Sequence, residues 1–131
     1  MLREYEMTFI TRADVPESEF HGILSKYEKY MTADGGEILK KDIWGSRKLT
    51  YPINKQYRGN YVSYDFAGMP EHLTEMERLM RIDENVLRYL SVLLNKQVDV
   101  AKRKVEITNE AAAAKEREAA AREAAEELGR D

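Results

Sequence analysis

The sequence predicts an α+β fold: a four-stranded antiparallel sheet covered on one face by two helices, in the order strand, helix, strand, strand, helix, strand, followed by a tail that is helical or disordered. Three observations predict it. Four separate stretches read as strands, by alternation of apolar and polar residues or by richness in apolar, aromatic and branched ones, apolar residues recur with a helical period in two stretches between those, and beyond residue 105 the apolar stripe disappears. At 131 residues with 43% apolar content the chain can build one packed core, and two full domains are not expected.

Strand one runs from Leu2 to Ile10, with Tyr5, Met7 and Phe9 on one face and Glu4, Glu6 and Thr8 on the other, the alternation of a half-buried strand. Asp14 and Glu17, three residues apart, form a capping-box start for the first helix, with Pro16 tolerated in its first turn. Phe20, Ile23, Leu24, Tyr27 and Met31 follow on one helical face, and Gly35-Gly36 ends the element. A second strand covers about Glu37 to Gly45 and continues through Leu49-Thr50-Tyr51-Pro52-Ile53. Pro52 assigns it to an edge, because proline cannot donate to a ladder. Asn54 to Asn60 reads as a polar turn, and Tyr61 to Phe66 as the third strand, so strands two and three make a long hairpin. Pro70 opens the second helix, with Leu73, Met76, Leu79 and Met80 facing inward, and Val86 to Leu94 forms strand four. This order is that of the split, ferredoxin-like βαββαβ unit, which leaves one face of the sheet free for a partner. The expected organisation is a domain over residues 1–95, a basic linker over 96–105 and an Ala/Glu/Arg-rich tail over 106–131. Nine alanines favour helix in that tail, but Ile107 and Leu128 are its only large apolar residues.

The net charge of -3 conceals a division. Residues 1–105 hold 17 Lys and Arg against 16 Asp and Glu, whereas residues 106–131 hold four against eight. The acidity therefore belongs to the tail. Between Lys40 and Arg58, six basic residues (Lys40, Lys41, Arg47, Lys48, Lys55, Arg58) face only Asp42. That local excess fits either a phosphate-binding hairpin or a solvated edge strand guarded by lysines.

Catalytic chemistry finds little support. No cysteine is present, so disulfides and thiolate metal sites are excluded and a reducing compartment is compatible. The two histidines, His21 and His72, fall in different helices and make no zinc site. Adjacent Asp83 and Glu84 point in different directions and imply no acid-base dyad. No Walker-type phosphate loop occurs, and Thr11-Arg12-Ala13-Asp14 offers no counterpart to the Gly-rich loop of acylphosphatase-like enzymes of this fold. An apolar signal core is lacking at the start, and no window nears the roughly 18 uninterrupted apolar residues of a membrane span, so a cytoplasmic protein without a membrane partner is expected. Arg58-Gly59-Asn60-Tyr61-Val62-Ser63-Tyr64 partly resembles the base-stacking strand of RNA-recognition modules, one residue short. The preferred reading is that Tyr64 and Phe66 pack beneath the helices.

Trp44-Gly45-Ser46-Arg47-Lys48-Leu49-Thr50-Tyr51-Pro52-Ile53-Asn54-Lys55 resembles the signature of the S-six family of bacterial small-subunit ribosomal proteins: a glycine, a basic residue, then Leu, a small residue and Tyr-Pro-Ile. Arg3-Glu4-Tyr5-Glu6 and Arg81-Ile82-Asp83-Glu84-Asn85-Val86-Leu87-Arg88 resemble the family at the matching places, so the likeness spans about the first 95 residues. Lys48 and Thr50 are mild departures. The resemblance implies a structural, non-enzymatic, ribosome-associated protein without cofactor or small-molecule substrate. It implies binding to the central domain of 16S ribosomal RNA together with ribosomal protein S-eighteen, in the platform of the small subunit. Arg3, Arg47, Lys48, Lys55, Arg58, Arg81 and Arg88 are then the expected RNA contacts, and Trp44, Tyr51 and Tyr61 the expected partner-protein contacts. The alternatives are a free single-stranded RNA binder of the RNA-recognition type and a ferredoxin-like oligomerising regulator.

Overall fold

The structure, a computed structural model, describes residues 2–129; Met1 and the last two residues of the tail, Arg130 and Asp131, lie outside the described residues. Its elements are β1 (Arg3–Arg12), α1 (Glu17–Met31), β2 (Glu37–Ile53), β3 (Gln56–Gly68), α2 (Pro70–Ile82), β4 (Val86–Asn95) and α3 (Val100–Leu128), with one short 3-10 turn at Ala33–Gly35. The sheet order is β2-β3-β1-β4 and every pairing is antiparallel. The predicted fold is therefore the observed one.

The core lies between the sheet and the two helices of its covered face. Tyr5, Met7 and Phe9 of β1 and Val62, Tyr64 and Phe66 of β3 are buried against Phe20, Ile23, Leu24, Tyr27 and Met31 of α1 and Met76 and Met80 of α2. Phe9 meets Tyr64 face to face at 6.1 Å and the edge of Tyr27 at 5.7 Å. Each such ring contributes about 1.5–3 kcal/mol by leaving water. Tyr5, Phe9, Tyr64 and Phe66 lie under the helices and cannot stack on RNA bases, so of the two tyrosines in the Arg58–Tyr64 segment only Tyr61 stays outside the core.

Three local details differ from the sequence reading. Asp14 does not cap α1: Pro16 occupies the N-cap without a side-chain bond, and the Asp14 carboxylate accepts a two-pronged pair of hydrogen bonds from Arg12, both 3.1 Å. A charge-assisted fork is the stronger partner, so it takes the carboxylate from the helix end. The polar turn after Ile53 is only Asn54-Lys55, since Gln56 to Asn60 already belong to β3. Finally α1 stops at Met31, ahead of the two glycines, where the Thr32 hydroxyl donates to the Glu28 carbonyl at 2.9 Å.

The two sheet edges are unlike. β2 carries Pro52 and register shifts at three places along its pairing with β3, which discourage strand addition. β4 carries neither proline nor lysine and exposes Leu90, Val92, Leu93 and Leu94. Residues 1–98 and 99–131 form separate compact units. In the second, α3 starts with the Asp99 carboxylate accepting from the Lys102 amide at 3.3 Å, and it buries no residue along its 29-residue length. No described helix is long and apolar enough to cross a membrane.

Candidate nucleic-acid and partner interface

The hairpin projects its basic residues from one end of the sheet. Cross-strand partners are Arg47 with Gly59 and Lys48 with Arg58, while Gly59 pairs on its other side with Arg12 of β1. Lys48 and Arg58 are thus like charges directly opposite each other, an arrangement that costs stability unless an anion joins them. Arg58 is steadied by Ser46, donating to its hydroxyl at 3.0 Å and its carbonyl at 3.2 Å. Arg47, Lys48, Lys55 and Arg58 are all exposed, and no carboxylate among the described residues pairs with any of them. By contrast Lys40 is paired with Asp42 at 3.5 Å and Lys41 with Glu28 at 3.2 Å. The excess charge of the hairpin therefore concentrates toward its tip.

Local backbone chemistry places these groups. At the tip, Asn54 and Lys55 both take positive φ, 47° and 64°, giving the two-residue turn that matches strand twist. Gly59 is required where the chains crowd: a Cβ there would sit 2.3 Å from Ile10 Cγ2 and 3.1 Å from the Thr11 carbonyl oxygen. Leu49, buried, packs over the same spot and anchors the arm to the sheet.

Arg81, at the end of α2, and Arg88, near the start of β4, line one groove with Asn54 of the hairpin tip, Asp83, Glu84 and Leu87. Arg88 opposes Ile10 on the open face. Six of the seven predicted cations thereby gather at one end of the residue 1–98 unit. Arg3 does not, since it sits at the other end of β1, a strand roughly 30 Å long at ~3.3 Å per residue. The sequence reading omitted Arg12, which lies in register with Arg47 across Gly59. Its fork to Asp14 raises its affinity for its proton and lowers that of the carboxylate, the side-chain hydrogen bond being the main cause in each case.

The predicted partner residues separate into two places. Trp44 and Tyr61 stack at 5.8 Å with planes 8° apart on the open face. A bulge makes this contact possible: the register slips between Ile43 and Gly45, and Gly45 takes φ 81°, which re-aims Trp44. Tyr51 lies out on the arm, 78% exposed, and is not part of that pair. Among the described residues no group of His, Asp and Glu could hold a metal ion.

The family model described as Ribosomal protein S6 matches residues 4–93 of this chain. The chain belongs to the ribosomal protein S6 family. Small ribosomal subunit protein bS6 of Desulforapulum autotrophicum is 37% identical over 90% of this chain and 76% of its own length. The bS6 protein of Geotalea uraniireducens is 41% identical over 76% and 78% respectively. That of Caldanaerobacter subterraneus is 40% identical over 70% of this chain and 96% of its own. The crystal structure of 30S ribosomal protein S6 from Thermotoga maritima superposes with a TM-score of 0.66 at 27% identity, covering 82% of this chain and 99% of that one. Membership in the S6 family makes this a structural protein of the small ribosomal subunit in the bacterial cytoplasm, not an enzyme.

Proposed function

We propose that this S6-family chain binds the central domain of 16S ribosomal RNA together with ribosomal protein S-eighteen in the platform of the small subunit. The observation that carries this reading is the opposed Lys48–Arg58 pair at the base of an arm whose cations lack carboxylate partners among the described residues. Such a pair is tolerable in a free protein and favourable on a phosphate backbone, because each neutralised phosphate releases a condensed counterion. Arg47, Lys48, Lys55, Arg58, Arg81 and Arg88 supply the phosphate contacts from one end of the residue 1–98 unit. Arg3, at the far end, meets a separate stretch of RNA. Trp44 and Tyr61 offer a flat apolar platform to the partner protein, and Tyr51 adds a second contact from the arm.

A domain with nearly balanced charge holds RNA weakly alone, so a shared surface with a partner protein adds phosphate contacts and couples the two binding events. The test is the salt dependence of binding to a central-domain RNA fragment with the partner present. Replacing Arg47, Lys55, Arg81 and Arg88 together by Ala is expected to reduce the logarithmic slope by roughly 0.9 per lost contact, about three to four in all. An unchanged affinity and slope overturns the reading.

A further inference from the structure

Among the residues lining the Arg81–Arg88 groove, Asp83 has the wrong sign for a polyanion. Its side chain is nevertheless only 11% exposed, because it turns inward. One carboxylate oxygen accepts from the Tyr27 hydroxyl of α1 at 2.8 Å and lies 3.5 Å from Lys26 Nζ. The other accepts from the Asn85 amide at 3.0 Å, closing the turn on itself. The backbone completes the tie: the Val86 amide donates to the Asp83 carbonyl at 3.1 Å, and the Arg12 amide to the Asn85 carbonyl at 2.9 Å. The six-residue connection between Arg81 and Arg88 that contains this turn is thereby fastened to α1 through Asp83 and to β1 through Asn85.

We infer that Asp83 is the positioning residue of the RNA-binding groove, fixing through Tyr27 and Asn85 the turn that sets Arg81 and Arg88 in their relative places. The inference rests on the reading of those two arginines as RNA contacts. Without this knot the turn that joins the end of α2, which carries Arg81, to the start of β4, which carries Arg88, is free to shift, and the conformational freedom lost on binding counts against affinity. Placing a carboxylate here costs little repulsion toward RNA, since hydrogen bonds and the neighbouring lysine compensate its charge inside the protein.

The experiment is a mutant cycle on full-length chain, read as affinity and salt slope for a 16S central-domain fragment in the presence of ribosomal protein S-eighteen. Asp83→Ala is measured in the wild-type background and in the Arg81→Ala/Arg88→Ala background. The expected result is a roughly tenfold loss of affinity in the first and no further loss in the second, the non-additivity of residues that act as a unit. A residue needed only for general stability would weaken binding equally in both. Equal losses in the two backgrounds therefore overturn the inference, as does no loss in either. If the arginine pair itself proves neutral, the groove reading fails and the inference falls with it. If the arginines matter and Asp83→Ala does not, the inference alone fails. Should Asp83→Ala not fold, Tyr27→Phe removes a single hydrogen bond to the same carboxylate, and the same cycle decides the matter: a smaller loss confined to the wild-type background is expected, and its absence is fatal.

Discussion

Lys55 occupies the left-handed region at φ 64°, where a non-glycine residue costs about 1–2 kcal/mol. Glycine is the residue that turn geometry would choose there, so the lysine is retained against local preference. Lys55→Gly is expected to raise the denaturant midpoint, by an amount worth about 1 kcal/mol, while lowering the salt slope of RNA binding by about one. Opposite signs in the two measurements would identify a residue kept for binding; a loss in both would refute that. Two buried tyrosines make a second prediction. Burial first, then bonding to Asp83, raises the Tyr27 phenol above its ordinary 10.0, and burial first, then the charge of Glu28, raises Tyr64. The folded state thus holds these protons more tightly than the unfolded one. Their stabilisation is complete below about pH 10 and is lost as pH rises beyond it. Denaturant midpoints measured from pH 8 to 11 should fall more steeply in the wild type than in Tyr27→Phe or Tyr64→Phe. At this scale the sequence was a partial guide. Periodicity identified the buried Tyr5, Met7 and Phe9, but the Asp14–Glu17 spacing could not reveal that Arg12 competes for the same carboxylate.

Among the elements, the hairpin was legible in position and partly misread in length. Pro52 marked an edge strand correctly, whereas Gln56 to Asn60 looked like a turn because polar residues and a glycine dominate there and Tyr57 and Arg58 stay exposed, which leaves no apolar alternation to read. The bulge at Trp44-Gly45 leaves no periodic trace, since one inserted residue resembles a slip in the pattern. The last helix follows from alanine content and charge alone. Because α3 buries nothing, truncation after Val105 is expected to leave the denaturant midpoint of the remaining chain within experimental error of the full-length value, since the midpoint is the ratio of unfolding free energy to m and the truncation removes no buried residue that would change either for the domain. A marked fall would show that the tail stabilises the domain. A helix of 29 residues spans about 44 Å at ~1.5 Å per residue, so weaker incorporation into small subunits without loss of stability would mark it as a contact arm.

Over the whole molecule, charge separates from the average once the chain is folded. The sequence showed a basic stretch and two basic flanks, and it could not show that Arg81 and Arg88 share a groove with Asn54 or that Arg3 is left at the other end, because those relations depend on strand register. Nor could composition separate lysines paired inside the domain, Lys40 and Lys41, from those left unpaired toward the tip. Substituting Lys40 or Lys41 by Ala is accordingly expected to change the salt slope much less than substituting Lys48 or Arg58, a comparison made with the same RNA fragment; equal slopes would place the contact elsewhere. The unlike edges of the sheet have a further consequence. Leu90, Val92, Leu93 and Leu94 form an accessible, nearly uncharged border that lacks the proline and lysines of the opposite side, and its register with β1 shifts only near its two ends, leaving Arg88 to Leu93 unbroken. In a copy waiting for its place in a subunit, that border is a template for unintended strand addition. The cell therefore has a stake in dosage: synthesis that outruns the supply of nascent subunits leaves orphan molecules for chaperones and proteases to clear.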